Sequence, residues 1–235
     1  MFAAYHIHIR LITASWMVVL AGCASSQGLH PDRLQTIIEQ EESRFAGPPS
    51  AAVSPPRLNT PTLGLYLTPT GFLHREFEWT TRDRETILAW SKNLQIPGGK
   101  SAGFVSVASL KGNSLTELRT SAARYGVDWV LVFDGAATVD RYNNYKAGLL
   151  YWTILGAYFA DGTHSDALCV MSATLWDVKT GAQLFKQHAQ GTTTKVGPAA
   201  LVDDRVEIER ARSMALETLL QRLTDQFAAI AGARR

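Results

Sequence analysis

The apolar run at 129–133, with the sequence WVLVF, constrains the fold more than any other feature of the chain. An uninterrupted apolar run of this length is typical of a strand that is buried on both faces. Such a strand favours a parallel neighbour, which the chain reaches through a right-handed crossover. Phe104, Val105 and Val107 indicate a strand upstream of it. We therefore expect a βαβ unit across residues 104–133.

Two helices are predicted before this strand by their first residues. Thr80 with Asp83, and Ser114 with Glu117, have the spacing of a capping box. Gly126 is a natural residue to end the second helix. The residues expected to face the core are Ile87, Trp90 and Leu94 in the first helix, and Leu115, Leu118, Ala122 and Tyr125 in the second.

The other elements complete an α/β (α+β) pattern. A strand is predicted over 63–67, and alternating residues from Cys169 to Leu175 lead through a turn at 177–181 into a strand over 183–190. A long amphipathic helix over 203–231 closes the chain. Its apolar stripe is predicted to contain Met214, Leu216, Leu219, Leu220, Leu223, Phe227 and Ile230. We expect one domain over 62–231, in two or three layers, with a mixed sheet, a βαβ unit, a β-hairpin and this C-terminal helix.

The N-terminus has the pattern of an export signal. Arg10 precedes the apolar run 11–20, and the sequence Leu-Ala-Gly-Cys ends at Cys23. The run is too short to span a bilayer as a helix. The pattern resembles a bacterial lipobox, in which the signal peptide 1–22 is cleaved between Gly22 and Cys23, and Cys23 receives diacylglyceryl and palmitate. The alternative is an ordinary secretory signal with a chance cysteine. Ala24 resembles the outer-membrane sorting pattern, which implies a lipid anchor facing the periplasm.

A proline-rich segment separates Cys23 from the predicted domain. Residues 23–61 contain six of the nine prolines, and such segments favour extended, hydrogen-bond-free backbone. We interpret them as a lipidated tether. Leu34, Ile37, Ile38 and Phe45 have helical spacing, which predicts one short helix between Asp32 and Phe45. That helix could lie on the domain or on a neighbouring subunit.

Composition and cysteine content narrow the possible functions. The 23 basic and 21 acidic residues nearly balance and are interleaved, so no nucleic-acid partner is expected. If Cys23 carries lipid, Cys169 is the one remaining thiol, and an internal disulfide cannot form. We expect no cofactor besides the covalent lipid.

The candidate catalytic motifs are weak. Gly99, Lys100 and Ser101 resemble the end of a phosphate-binding loop, but Leu94 stands where that motif needs glycine. Asp161, His164, Asp166 and Cys169 could be taken for metal ligands or a thiol nucleophile. They lack a paired-ligand spacing. Polarity of a loop explains the first three, and Cys169 falls at an inward strand position. We therefore do not expect an enzyme.

The apolar, aromatic segment 147–160 (AGLLYWTILGAYFA) is the most unusual part of the mature chain. It has three interpretations: a core element, a subunit interface, or a membrane-contacting strand. Aromatic anchors among small residues are typical of interfaces. The candidate interface residues are Leu150, Tyr151, Trp152, Leu155, Tyr158 and Phe159.

The same segment carries a family resemblance. The sequence YWTILGAYFADG at 151–162, followed by an alternating strand, Trp176-Asp177 and the hairpin, resembles the signature of the rhombotarget lipoproteins. Pro-Gly-Gly at 97–99, Gly103-Phe104, Leu118 and the run 125–128 fall in the order of that family. The turn at 164–166 departs from the family pattern, and residues 231–235 lack the apolar span of a sorting tail, so we expect no cleavage there.

The resemblance implies a bacterial envelope lipoprotein without a known activity. At the level of fold, the order of elements is similar to the curli secretion-channel lipoprotein and the lipoprotein activators of peptidoglycan synthases. Both likenesses imply an anchored, non-catalytic accessory or assembly factor in envelope biogenesis or protein export. Its partners would be the membrane, other proteins or further copies of itself. The alternative is a small-molecule or glycan binder with a pocket near Trp152 and Trp176.

Overall fold

The computed structural model describes residues 26–46, 61–69, 77–94, 114–144 and 158–232. The export signal, the lipobox, the predicted strand at 104–107 and residues 147–157 of the aromatic segment lie outside these ranges. Within them the chain forms four helices and four strands. In chain order these are α1 Pro31–Ala46, β1 Leu63–Leu67, α2 Thr81–Asn93, α3 Leu115–Arg124, β2 Trp129–Asn143, β3 Thr163–Asp177, β4 Gln183–Gly197 and α4 Asp204–Gly232.

The four strands form one sheet in the order β1-β2-β3-β4. β1 and β2 are parallel, and their register runs from Leu63 opposite Trp129 to Leu67 opposite Phe133. The run at 129–133 is fully buried and has the parallel neighbour that its composition predicts. That neighbour is β1, so the crossover between the two paired strands contains both α2 and α3. The predicted neighbour at 104–107 lies outside the described residues.

β2 and β3 are antiparallel. The amide of Asn144, just after β2, donates to the carbonyl of Gly162, just before β3, over 2.8 Å. At the other end of the two strands, the amide of Val178 donates to the carbonyl of Asp128 over 2.9 Å. The sheet is therefore mixed, as the sequence predicts.

β3 and β4 form the predicted hairpin. The amide of Asp177 donates to the carbonyl of Ala182 over 2.9 Å, and Asp177 Oδ1 accepts the amide of Thr180 over 2.7 Å. β3 is buried along nearly its whole length, whereas the sequence predicts one buried face. The reason is tertiary: helices cover both of its faces. Thr174 Oγ1 donates to Glu42 of α1, and Cys169, on the opposite face, lies near Arg212 of α4.

The described residues divide into two compact units. The small unit contains residues 26–29, 138–144, 158–167 and 192–210, and the large unit contains the remainder. β2, β3, β4 and α4 contribute residues to both units.

The large unit has three layers. On one side of its sheet, Trp90 of α2 meets Phe133 edge to face at 6.4 Å, and Phe185 meets Phe227 of α4 at 5.2 Å. On the other side α1 and α3 pack together. The side chains that bury this second face are Tyr66, Val130, Val132, Trp176 and Val178 of the sheet side with Leu115, Leu118, Ala122 and Val127. The predicted α/β class is confirmed, in its three-layer form.

The helix ends follow the predicted local chemistry. Thr80 and Asp83 form a reciprocal capping box at α2. α3 ends in a Schellman motif, because Gly126 has φ +67° and the amides of Gly126 and Val127 donate to the carbonyls of Ala123 and Ala122. Tyr125, predicted to face the core, is instead 54% exposed. It is the C-cap, where the backbone leaves helical geometry and the helical spacing no longer applies.

The predicted stripe of α4 is correct from Leu216 to Phe227 and wrong at Met214, which is 49% exposed. Met214 and Leu216 are two residues apart and point away from each other on a helix. The inward positions of this turn are Ala211 and Ala215, which are fully buried.

α1 confirms the short helix predicted within the proline-rich segment. Leu34 and Ile38 are buried, and Phe45 stacks on Tyr66 with ring centroids 5.9 Å apart. Glu42 accepts from Thr174 and forms an ion pair with Lys186. α1 therefore packs within the large unit.

Candidate functional site

Most of the exposed large hydrophobic residues in the described chain belong to the small unit. Eight large hydrophobic residues are exposed in the described chain, and five of them belong to this unit: Tyr158, Phe159, Val196, Leu201 and Val206. Single exposed hydrophobic residues are ordinary, whereas a group of them marks an interaction surface. We call Tyr158, Phe159, Val196 and Leu201 the apolar end surface.

Backbone hydrogen bonds bring these four residues to one end of the sheet. The amide of Gly162 donates to the carbonyl of Gly197 over 3.3 Å, which joins the start of β3 to the end of β4. Phe159 lies three residues before Gly162, a reach of at most about 10 Å. Val196 directly precedes Gly197, and Leu201 follows in a turn closed by its own amide on the carbonyl of Pro198 over 2.9 Å.

Polar contacts hold this end in place. Asp204 accepts from Ser165 Oγ over 2.7 Å and pairs with Arg141 Nη1 at 3.2 Å. The same guanidinium donates from Nη2 to the carbonyl of Ala199 over 2.7 Å. These bonds tie β2, β3 and the first turn of α4 to the loop that carries Leu201. The apolar end surface therefore rests on a defined support.

The structure describes two of the six predicted interface residues, Tyr158 and Phe159. Tyr158 is 52% exposed and Phe159 is 80% exposed, so the structure does not place these two side chains in a core. Leu150, Tyr151, Trp152 and Leu155 lie outside the described residues, as do Gly22 and Cys23.

The polarity of His164 and Asp166 predicts a loop. Both residues lie instead in β3. Tertiary pairing with β2 explains the difference. His164 stacks on Tyr142 of β2 with ring centroids 4.8 Å apart, and Tyr142 Oη donates to Asp166 Oδ2 over 3.2 Å. Desolvation and then the Asp166 carboxylate raise the pKa of Tyr142. Tyr142 therefore stays protonated and acts as a hydrogen-bond donor.

Cys169 does not have the surroundings of a nucleophile. Its side chain is fully buried in β3, and burial raises its pKa from 9.0 to about 12, against the smaller lowering effect of Arg212. A nucleophilic cysteine needs a stabilised thiolate and access to a substrate. The inward position predicted from the sequence is confirmed.

This burial gives a pH prediction for Cys169. The folded thiol holds its proton more tightly than the unfolded one, so its contribution to stability is complete below pH 9.0 and is lost as the pH rises toward 12. We expect the free energy of unfolding of the wild-type chain to fall more steeply over this interval than that of Cys169→Ala. Urea unfolding at a series of pH values measures the difference, in which titration common to both chains cancels. Parallel pH profiles would show that the thiol is not desolvated.

Other candidate features give no site within the described residues. Trp176 is buried in the large unit, so it offers no aromatic face to a glycan. No group of three or more His, Cys, Asp or Glu side chains in the described ranges is arranged to hold a metal ion. None of the helices described is both long enough and apolar enough to cross a membrane. The Gly99–Ser101 motif lies outside the described residues.

Comparison with known proteins gives distant structural likeness alone. No protein-family model matches the chain, and no curated protein sequence matches it. Among solved structures, it is similar to a neuraminyllactose-binding hemagglutinin homologue from Helicobacter pylori, with TM-score 0.43, 10% identity, and coverage of 78% of this chain and 96% of that one.

Two bacterial lipoproteins are also similar in structure. The minor lipoprotein from Acinetobacter baumannii has TM-score 0.34 and 14% identity, with coverage of 72% of this chain and 90% of that one. Lipoprotein GNA1162 from Neisseria meningitidis has TM-score 0.33 and 13% identity, with coverage of 72% and 99%. TM-scores this low assign neither a family nor a function.

Proposed function

We propose that the chain is a lipid-anchored protein of the bacterial outer membrane that faces the periplasm and acts as a non-catalytic assembly factor. The lipobox ending at Cys23 and the adjacent Ala24 support the anchor and its address. The resemblance around 151–177 supports membership of the rhombotarget lipoproteins. The observation that carries the proposed role is the apolar end surface of the small unit.

Self-association is the mode of action that this surface favours. Two exposed aromatic residues, Tyr158 and Phe159, belong to the same end of the sheet as two exposed aliphatic residues. Aromatic residues dominate the binding energy of protein interfaces. The described residues of the small unit carry more acidic than basic side chains, so an anionic lipid surface would not attract it. We therefore propose a second copy of the chain, through the same surface, as the occupant.

The test is the mass in solution of the unlipidated chain lacking residues 1–23. We expect a concentration-dependent oligomer by light scattering. We expect the double variant Tyr158→Ser, Phe159→Ser to dissociate at least about 30-fold more readily, because a central aromatic anchor contributes about 2 kcal/mol. Its unfolding midpoint in urea should stay close to wild type, since both side chains are exposed in the monomer.

Tyr125→Ser is the matched control, because Tyr125 has the same exposure as Tyr158 and belongs to the large unit. It should leave the mass unchanged. A wild-type chain that stays monomeric at every concentration would contradict self-association. A monomer that binds vesicles of phosphatidylethanolamine through Phe159 would show that lipid is the occupant instead.

A further inference from the structure

The chain is fixed to the small unit soon after Cys23. Ser26 Oγ donates to Asp140 Oδ2 over 2.6 Å, and the amide of Gly28 donates to the same oxygen over 2.8 Å. Asp140 belongs to β2. In sequence it lies 114 residues after Ser26 and 112 residues after Gly28. Both donors meet a carboxylate, and hydrogen bonds to ionised acceptors are stronger than neutral ones.

The local sequence is suited to this contact. Gly28 has φ +78°, a left-handed conformation that costs glycine little and other residues more. The turn allows Ser26 Oγ to accept from the Gly28 amide over 3.1 Å while both groups donate to Asp140. The Ser26 hydroxyl and the Gly28 amide thus form a docking site for one carboxylate oxygen. We call residues 26–28 the N-terminal clamp.

The clamp shortens the length of free chain between a lipid on Cys23 and the small unit. Ser26 is the third residue after Cys23, and a fully extended chain covers at most about 10 Å over that interval. Because α1 packs within the large unit, the chain without the clamp would be free only from Cys23 to Pro31, a reach of at most about 28 Å. The headgroup layer on each side of a bilayer is about 5 to 8 Å thick. An anchor limited to about 10 Å therefore leaves no room between the headgroups and the small unit.

We propose that the N-terminal clamp seats the small unit directly on the lipid headgroups, so that the chain between Cys23 and α1 does not act as a spacer. This inference rests on the proposed lipidation of Cys23. It places the apolar end surface at the height of the membrane, where anchored copies meet by lateral diffusion. The small unit meets the phospholipid headgroups because the short lipid anchor holds it there, and not because its charge attracts it.

Energy transfer to the membrane tests the clamp in the full lipidated chain. Thr194, exposed in the small unit, is changed to Cys and labelled with a donor fluorophore, while the buried Cys169 stays unlabelled. The protein is reconstituted in vesicles of phosphatidylethanolamine and phosphatidylglycerol that carry an acceptor on the headgroup. We expect strong transfer in the parent chain and weaker transfer in Asp140→Ala, in which the anchoring segment can extend by about a further 18 Å. Gly28→Ala, which strains the clamp without touching β2, should reduce transfer in the same direction.

Asp161→Ala is the matched control, because it removes an exposed carboxylate from the same unit outside the clamp. It should leave transfer unchanged. Flotation of each sample with the vesicles reports the anchor separately. A chain that does not float would refute the lipid anchor of the proposed function. A chain that floats, with equal transfer in the parent, Asp140→Ala and Gly28→Ala, would overturn the clamp and leave the anchor standing.

Discussion

Arg212→Met is expected to lower the free energy of unfolding by about 3 to 5 kcal/mol. Arg212 Nε lies 3.1 Å from Asp83 Oδ2, and both side chains are more than nine-tenths buried. Nη1 of Arg212 also donates to the carbonyl of Glu78 over 3.1 Å. With methionine at 212, the Asp83 carboxylate stays buried and still accepts a hydrogen bond from the backbone amide of Thr80, but it has no counter-charge. An uncompensated buried charge is the costly outcome, whatever the net value of the intact pair.

Arg205→Met is the matched control for this prediction, because it removes the same charge from an exposed position of α4. Exposed substitutions away from buried contacts change the free energy of unfolding by about 0.5 kcal/mol at most. Urea unfolding of the three chains, followed by circular dichroism, separates the two cases. Equal losses for Arg205→Met and Arg212→Met would show that the burial of the Arg212–Asp83 pair has no energetic weight.

The elements of this fold that the sequence predicts are those specified by neighbouring residues. Thr80 and Asp83 begin α2 through contacts within four residues, and Gly126 ends α3 through a turn of its own backbone. The run at 129–133 indicates a doubly buried strand because every residue in it is apolar. Local chemistry therefore predicts the elements and the α/β class.

What the sequence does not predict depends on pairing between distant segments. The described parallel neighbour of β2 is β1, and this pairing is a property of the whole sheet. The strand expected at 104–107 lies outside the described residues. His164 and Asp166 have loop composition but lie in β3, where Tyr142 of β2 contacts both. Val196 and Leu201 join the apolar end surface only because the Gly162–Gly197 bond closes that end of the sheet.

The N-terminal clamp is a further example. The composition of residues 23–61 predicts an extended tether, and nothing near Ser26 in the sequence identifies Asp140 as its partner. The signal that could have indicated a turn is Gly28, which follows Ser26 at the spacing of a side-chain to backbone contact. A turn alone would not have named the strand on which it docks.

Gly191→Ala is expected to cost about 3 kcal/mol or more of unfolding free energy. Gly191 lies in β4 where α4 crosses it, and a Cβ there would overlap the carbonyl oxygen of Ala211 and lie 2.7 Å from the amide nitrogen of Ala215. Both are backbone atoms of a helix, so the strain is relieved only if α4 moves away from the sheet. The entropy that alanine removes from the unfolded chain, about 0.4 to 1 kcal/mol, does not offset this.

The steric origin of this loss can be tested by attempted rescue. The Cβ of Met214 would also lie 3.0 Å from the new methyl group, and Met214→Gly removes that atom while it leaves the Ala211 and Ala215 backbone in place. Gly191→Ala, Met214→Gly is therefore expected to be no more stable than Gly191→Ala in urea unfolding. Gln190→Ala, at the exposed neighbouring position, should change stability by less than about 0.5 kcal/mol. Recovery in the double variant would mean that side-chain crowding, rather than close approach of the strand and helix backbones, is what requires glycine at this crossing.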